Sequence, residues 1–107
     1  MNDLKGKAVL VTGGSTGIGA AAARAFARQG SRVAIQYNAS SDAATALVEE
    51  IRTAGGEAHM VGGDVRQLPN VSRIVAEALE RLGRIDVLVN NVGSLVKRTP
   101  VAEYTVE

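Results

Sequence analysis

At 107 residues the chain has room for one domain with a modest core, and with 46% hydrophobic but only 3% aromatic residues that core must be aliphatic. Twelve basic and 11 acidic residues are interspersed along it for a net charge of +1, so there is no basic stripe for nucleic acid and no polybasic cluster for a membrane surface. The absence of cysteine excludes disulfides and thiolate metal sites and suits a reducing compartment. Met1-Asn2-Asp3-Leu4-Lys5 is too polar for a signal peptide, and no apolar run approaches the ~20 residues of a membrane span. A cytoplasmic protein is expected.

Lys7 to Thr12 reads as a short buried strand, a continuous apolar run that ends in glycines. A helix is expected from about Gly17 to Gln29, with Ile18, Ala22, Ala25 and Phe26 on its buried face and Gly30 as its stop. Its many alanines favour helix, and they also let it lie close to a sheet. Arg32 to Tyr37 is a second strand. Asn38 to Asp42 offers N-cap residues for a helix from about Asp42 to Thr53, striped by Leu47, Val48 and Ile51 and ended by Gly55-Gly56. Glu57 to Gly62 reads as a third strand, shorter and more polar, as suits a sheet edge. A third helix spans roughly Pro69 to Leu82, with Val71, Ile74, Val75, Ala78, Leu79 and Leu82 on its buried face. Asp86 to Asn90 is a fourth strand, again apolar. Residues 94–107 show no period, and Pro100 to Glu107 could open a further helix. Residues 1–95 are accordingly expected to form the organised unit, with 96–107 a tail or a helix start.

Regular alternation of strand and helix implies an α/β fold with a parallel sheet and right-handed crossovers. With the first strand central, the expected order is 3-2-1-4 with helices on both faces, a partial doubly wound, Rossmann-like sheet. The stretch Thr12-Gly13-Gly14-Ser15-Thr16-Gly17-Ile18-Gly19 then falls at the carboxyl end of the central strand. So do Tyr37-Asn38, Asp64-Val65 and Asn90 to Gly93 at the ends of theirs. In a strand–turn–helix, Gly13 permits the sharp exit, Gly17 a close backbone approach to pyrophosphate, and Gly19 tight helix packing. The helix N-terminus supplies unpaired N–H groups and a positive dipole end, and Ser15 and Thr16 can add hydroxyl donors. A triphosphate-binding P-loop is excluded, because no Gly-Lys-Ser/Thr follows.

The Gly-x-x-x-Gly-x-Gly spacing makes a resemblance specific. Residues 12–19 resemble the Thr-Gly-x-x-x-Gly-x-Gly signature of the short-chain dehydrogenase/reductases, and Asn90-Asn91-Val92-Gly93 resembles that family's Asn-Asn-Ala-Gly motif. Asp64-Val65 matches its adenine-contacting aspartate, and Gly83 to Asn90 is similar to its lead into the fourth strand. The likeness covers roughly residues 4 to 95 and is strongest to compact members such as 3-oxoacyl-carrier-protein reductases and sugar-alcohol dehydrogenases. It implies a nicotinamide dinucleotide held by Gly13, Ser15, Thr16, Gly17, Ile18, Gly19, Tyr37, Asn38, Ser40, Asp64, Val65, Asn90, Val92 and Gly93. Val92 adds bulk beside the expected cofactor path. On their own, Asp64 also fits an N-cap and Asn90-Asn91 a polar turn.

Sites that prefer NAD place a carboxylate at the end of the second strand; here Gln36-Tyr37-Asn38 carries none. Ser40, Ser41 and the next helix N-terminus could donate to a 2′-phosphate, while Arg32 lies at the wrong end of its strand. NADP is therefore the expected cofactor, with NAD as the alternative. Carbonyl chemistry also needs a group to handle the proton on oxygen. The family uses a Tyr-x-x-x-Lys pair with a serine. Tyr37 is followed at that spacing by Ser41 and Tyr104 by nothing, and Ser94 sits too early to be the serine. No catalytic residue is thus assigned. His59, the sole histidine, is expected on the surface, and no cluster has metal-ligand spacing.

The chain is expected to be the cofactor-binding part of a carbonyl reductase or alcohol dehydrogenase. The alternative is a truncated or non-catalytic nucleotide-binding or interaction protein. Ending after a fourth strand would leave Val87-Leu88-Val89 with an unpaired apolar edge, for which the outlets are self-association or a missing C-terminal half.

Overall fold

A computed structural model of the chain describes residues 4–13, 17–38, 41–64, 68–90 and 97–100. In chain order the elements are β1 Ala8–Thr12, α1 Gly17–Arg28, β2 Arg32–Tyr37, α2 Ser41–Thr53, β3 Glu57–Gly62, α3 Leu68–Leu82, β4 Val87–Asn90 and β5 Lys97–Pro100. They form one sheet in the order β3-β2-β1-β4-β5. The first four strands are parallel, with Val9 opposite Val33 and Val87, and Val33 opposite Ala58. The expected 3-2-1-4 order is therefore present.

Burial explains why β1 carries no polar alternation. Both faces of the sheet are covered, and all five of its residues are buried. On one face Val9, Val11, Val33 and Ile35 pack against Ala20 and Ala23 of α1 and Leu47, Val48 and Ile51 of α2. On the other, Ala8, Leu10, Ala34 and Val61 pack against Ile74, Ala78 and Leu82 of α3, with Ile85 beside them. The crossovers from β1 and from β3 thus leave to opposite faces, the defining property of a doubly wound sheet.

Three expectations need correction. The buried face of α1 is not centred on Ile18, Ala22, Ala25 and Phe26: Ile18 is 64% exposed and Ala25 is exposed, whereas Gly19, Ala20 and Ala23 are buried. Ala22, Phe26 and Ala27 do pack against the core. A helix laid closely on a sheet selects small side chains for its contact line, so the bulkiest residue of the first turn is not the anchor. Second, β3 is the edge strand, but its six residues make it no shorter than β2.

Third, the sheet has a fifth strand, and the outer edge of β4 is paired. β5 runs antiparallel to β4, with Val87 opposite Pro100 and Asn90 opposite Lys97. An antiparallel neighbour needs no helical crossover, so the short stretch after β4 suffices to bring it back. The open β4 edge invoked for self-association is absent, and over Lys97–Pro100 the expected tail or helix start is a strand. Residues 101–107 lie outside the described part.

The amino edge of the sheet is closed by polar contacts. The Ala8 N–H donates to Asp86 Oδ2 at 2.8 Å, and Arg84 Nε donates to the same oxygen at 2.8 Å. Burial pushes the Asp86 carboxyl up. The Ala8 hydrogen bond and the Arg84 guanidinium, helped by Lys7, outweigh that effect and hold it below the ordinary carboxylate range. Arg32 Nη1 donates to the Leu82 carbonyl at 2.6 Å and so caps the carboxyl end of α3. Arg24 of α1 and Glu50 of α2 form a two-pronged ion pair at 2.7 and 3.1 Å on the surface. His59 is half-buried on β3, 3.0 Å from Glu57 Oε2.

Candidate functional site

The carboxyl ends of β1, β2, β3 and β4 lie along one edge, and those residues picked out from the sequence that the structure describes are distributed there. Gly13 leaves β1 with φ +59°, and Gly17 opens α1 with φ +57°. Left-handed φ values cost an L residue roughly 1–2 kcal/mol, which explains glycine at both positions. A Cβ built on Gly17 would meet nothing within 4 Å. Among the described residues, then, nothing crowds Gly17 at the α1 N-terminus, where a ligand phosphate could approach the backbone. Gly19 is buried one turn into the helix, as its packing role requires, and Ile18 projects from the same turn into solvent. Ser15 and Thr16 lie outside the described residues.

Tyr37 ends β2, and its ring lies across Gly62 of β3: a Cβ on Gly62 would sit 2.7 Å from the phenolic oxygen. Asn38 follows, exposed at the edge. Ser40 is outside the described residues, as are Val65, Val92 and Gly93. Asp64 is half-buried just after Gly63. Asn90 closes β4, with its Oδ1 accepting from Thr12 Oγ1 at 3.2 Å; the same hydroxyl lies 3.3 Å from the Val89 carbonyl. Gly13, Gly17, Ile18, Tyr37, Asn38, Asp64 and Asn90 are thus brought to one edge by the parallel register.

Sequence inspection missed Gln36. Its side chain is 1% exposed, yet both ends of its amide are used. Oε1 accepts from the Gly13 N–H at 2.6 Å, and Nε2 donates to the Gly63 carbonyl at 2.5 Å. Gly63, at φ +145°, returns its own N–H to the Tyr37 carbonyl at 3.0 Å. Only one orientation of the amide satisfies a donor on one side and an acceptor on the other. The signal available in the sequence was strand alternation: Gln36 follows Ala34 on the face that α3 covers, where a polar side chain must find partners. Arg73 of α3 adds a further tie, with Nη2 donating to the Gly62 carbonyl at 2.8 Å.

A cleft of about 720 Å³ lies elsewhere, at the amino edge, between the carboxyl ends of α1 and α2. Its Arg24 is paired with Glu50, and its Arg32 is engaged by the Leu82 and Gly6 carbonyls. Lys5 and Arg28 also line it, but it lies away from the carboxyl ends of the strands, where open α/β sheets bind their ligands, and the carboxyl edge is the stronger candidate. Among the described residues, no group of His, Asp and Glu could hold a metal ion, and no helix is long and apolar enough to cross a membrane.

Fold and edge together define a doubly wound, Rossmann-like α/β unit with a glycine turn at the carboxyl end of its central strand. Residues 7–107 match the family model described as short chain dehydrogenase, and the chain belongs to that family. It is 47% identical over 93 residues to an uncharacterized oxidoreductase of Methylorubrum extorquens, covering 87% of this chain and 38% of that protein. Identity to an L-rhamnose 1-dehydrogenase (NAD(P)(+)) of Azotobacter vinelandii is 50% over 90 residues, covering 81% and 35% of the two chains. A short chain dehydrogenase of Burkholderia cenocepacia, solved in complex with NADP, superposes with a TM-score of 0.81 at 43% identity, over 86% of this chain and 38% of that one. The chain thus spans well under half the length of these relatives.

Proposed function

We propose that this chain is the dinucleotide-binding part of an NADP-dependent oxidoreductase that interconverts a carbonyl and an alcohol, with NAD as a second, weaker cofactor. The observation that carries this proposal is Gly17 at the α1 N-terminus, left-handed and with no described residue within 4 Å of a Cβ built on it. It lies at the switch point of the sheet, where the α1 and α3 crossovers diverge to opposite faces. That crevice is where open α/β sheets bind ligands, and the N–H groups and dipole of a helix start favour a pyrophosphate. Gly13, Ser15, Thr16, Gly17, Ile18 and Gly19 would line the pyrophosphate, Asp64 and Val65 the adenine, and Asn90, Val92 and Gly93 the adjoining ribose.

The preference for NADP rests on the end of β2. Tyr37 and Asn38 present no carboxylate to repel a 2′-phosphate, and Ser40 and the α2 N-terminus are the expected donors to it. A nicotinamide dinucleotide held by these residues would supply the hydride chemistry. This chain contributes binding and orientation; neither of its tyrosines is followed by a lysine four residues later, so no proton-handling role is assigned within it. The Burkholderia neighbour in complex with NADP and the Azotobacter relative named for NAD(P)(+) both support this function.

Titration of the chain with NADPH and NADH, followed by the fluorescence of the reduced nicotinamide, tests the proposal. Saturable binding of both, tighter for NADPH, is the expected result. Failure to bind either would overturn it, and tighter binding of NADH would overturn the stated preference.

A further inference from the structure

Gln36 does something that a simple edge-lining residue does not. It joins the turn after β1 to the turn after β3, while its own strand lies between them. These are the turns that would meet the central pyrophosphate and the adenine end of a dinucleotide, given the function proposed above, on which the present inference rests. The Gly13 N–H is consumed by Oε1, which fixes the orientation of the Thr12–Gly13 peptide where the chain enters its left-handed turn. The Gly63 carbonyl is consumed by Nε2, and the Gly63 N–H by the Tyr37 carbonyl, so the exit from β3 is held from both sides.

We propose that Gln36 is a positioning residue for dinucleotide binding, a buried clamp that sets the distance between the pyrophosphate turn and the adenine-side turn. No atom of Gln36 need touch the ligand. Its amide acts by keeping two backbone segments in a register that one extended ligand can bridge, so that little reorganisation remains when the ligand arrives. Its loss should therefore weigh more heavily on a ligand that spans both turns than on one that occupies a single end.

The test compares Gln36→Met, which keeps the length and removes both hydrogen bonds, with Leu82→Ala. The latter destabilises the α3 core at the far, amino edge and serves as control. Each is titrated with NADPH and with 2′-AMP, at a temperature where circular dichroism shows it folded. Gln36→Met should weaken NADPH about tenfold, the loss of roughly 1.4 kcal/mol, and should weaken 2′-AMP by about twofold or less. Leu82→Ala should leave both within about twofold. If Gln36→Met does not fold, Gln36→Glu serves, because a protonated carboxyl can still donate to the Gly63 carbonyl and an ionised one cannot. Its affinities for NADPH and for NADH, which has no 2′-phosphate to be repelled, should both fall relative to the unsubstituted chain as pH rises from about 5 to about 8. Equal losses for NADPH and 2′-AMP, an unchanged NADPH affinity in Gln36→Met, or a pH-independent ratio for either cofactor in Gln36→Glu would overturn the clamp. Failure of the unsubstituted chain to bind NADPH would instead overturn the proposed function.

Discussion

Gly17 separates backbone strain from ligand contact, because the chain carries its own controls. Gly17, Gly55 and Gly83 all have left-handed φ values, +57°, +94° and +81°, and a Cβ on any of them would meet none of the described residues within 4 Å. Substitution by alanine should therefore carry the same intrinsic cost at each, roughly 1–2 kcal/mol for the left-handed conformation, partly offset by the more restricted unfolded chain. For a domain of this size that is a fall in melting temperature of roughly 4–8 °C per kcal/mol. Of the three, only Gly17 stands at a helix N-terminus; Gly55 and Gly83 follow the carboxyl ends of α2 and α3. If a phosphate must approach the backbone there, Gly17→Ala loses charge-assisted hydrogen bonds worth roughly 1.5–3 kcal/mol, a weakening of about 10–100-fold. Thermal melts and NADPH titrations of the three variants provide the comparison. Three similar melting shifts with an affinity loss confined to Gly17→Ala are expected. Equal NADPH affinity in all three would refute the assignment of that helix N-terminus to the ligand.

Two further outcomes concern the scaffold. Ile74 of α3 is 1% exposed, so Ile74→Ala should cost about 2–5 kcal/mol in urea denaturation. Ile18→Ala, at an exposed position on α1, should stay within about 0.5 kcal/mol; a larger cost at Ile18 would mean that the residue packs against the core after all. Asp86 sets an acid dependence. Its carboxyl titrates below its ordinary value in the folded chain, so its contribution is present above the unfolded value near about 4 and is lost as pH falls through the folded value. The urea midpoint of the unsubstituted chain should fall across that window, and Asp86→Asn should be less stable at neutral pH with a shallower acid slope. An identical slope in both would remove Asp86 as the cause.

The amino-acid sequence alone determined the order of the first four strands and three helices and the edge to which the candidate site residues come. Continuous apolar runs mark strands buried on both faces, and glycines mark the places where the backbone must turn left-handed, so Gly13 and Gly17 were legible without coordinates. Their spacing, with Asp64 and Asn90, also carried the family. The contact face of α1 was not legible, since hydrophobicity favours Ile18 whereas close packing on a sheet selects Gly19, Ala20 and Ala23. Nor was β5, because Lys97–Pro100 has no periodic pattern and owes its strand to the ladder offered by β4. Gln36 is the clearest case. In sequence it is a polar residue where an acid was sought, and only tertiary structure made it a clamp. Its two partners lie 23 and 27 residues away along the chain, and a parallel sheet brings such distant turns side by side. Local propensity and pattern act over a few neighbours, whereas the fit between turns depends on the whole sheet being assembled.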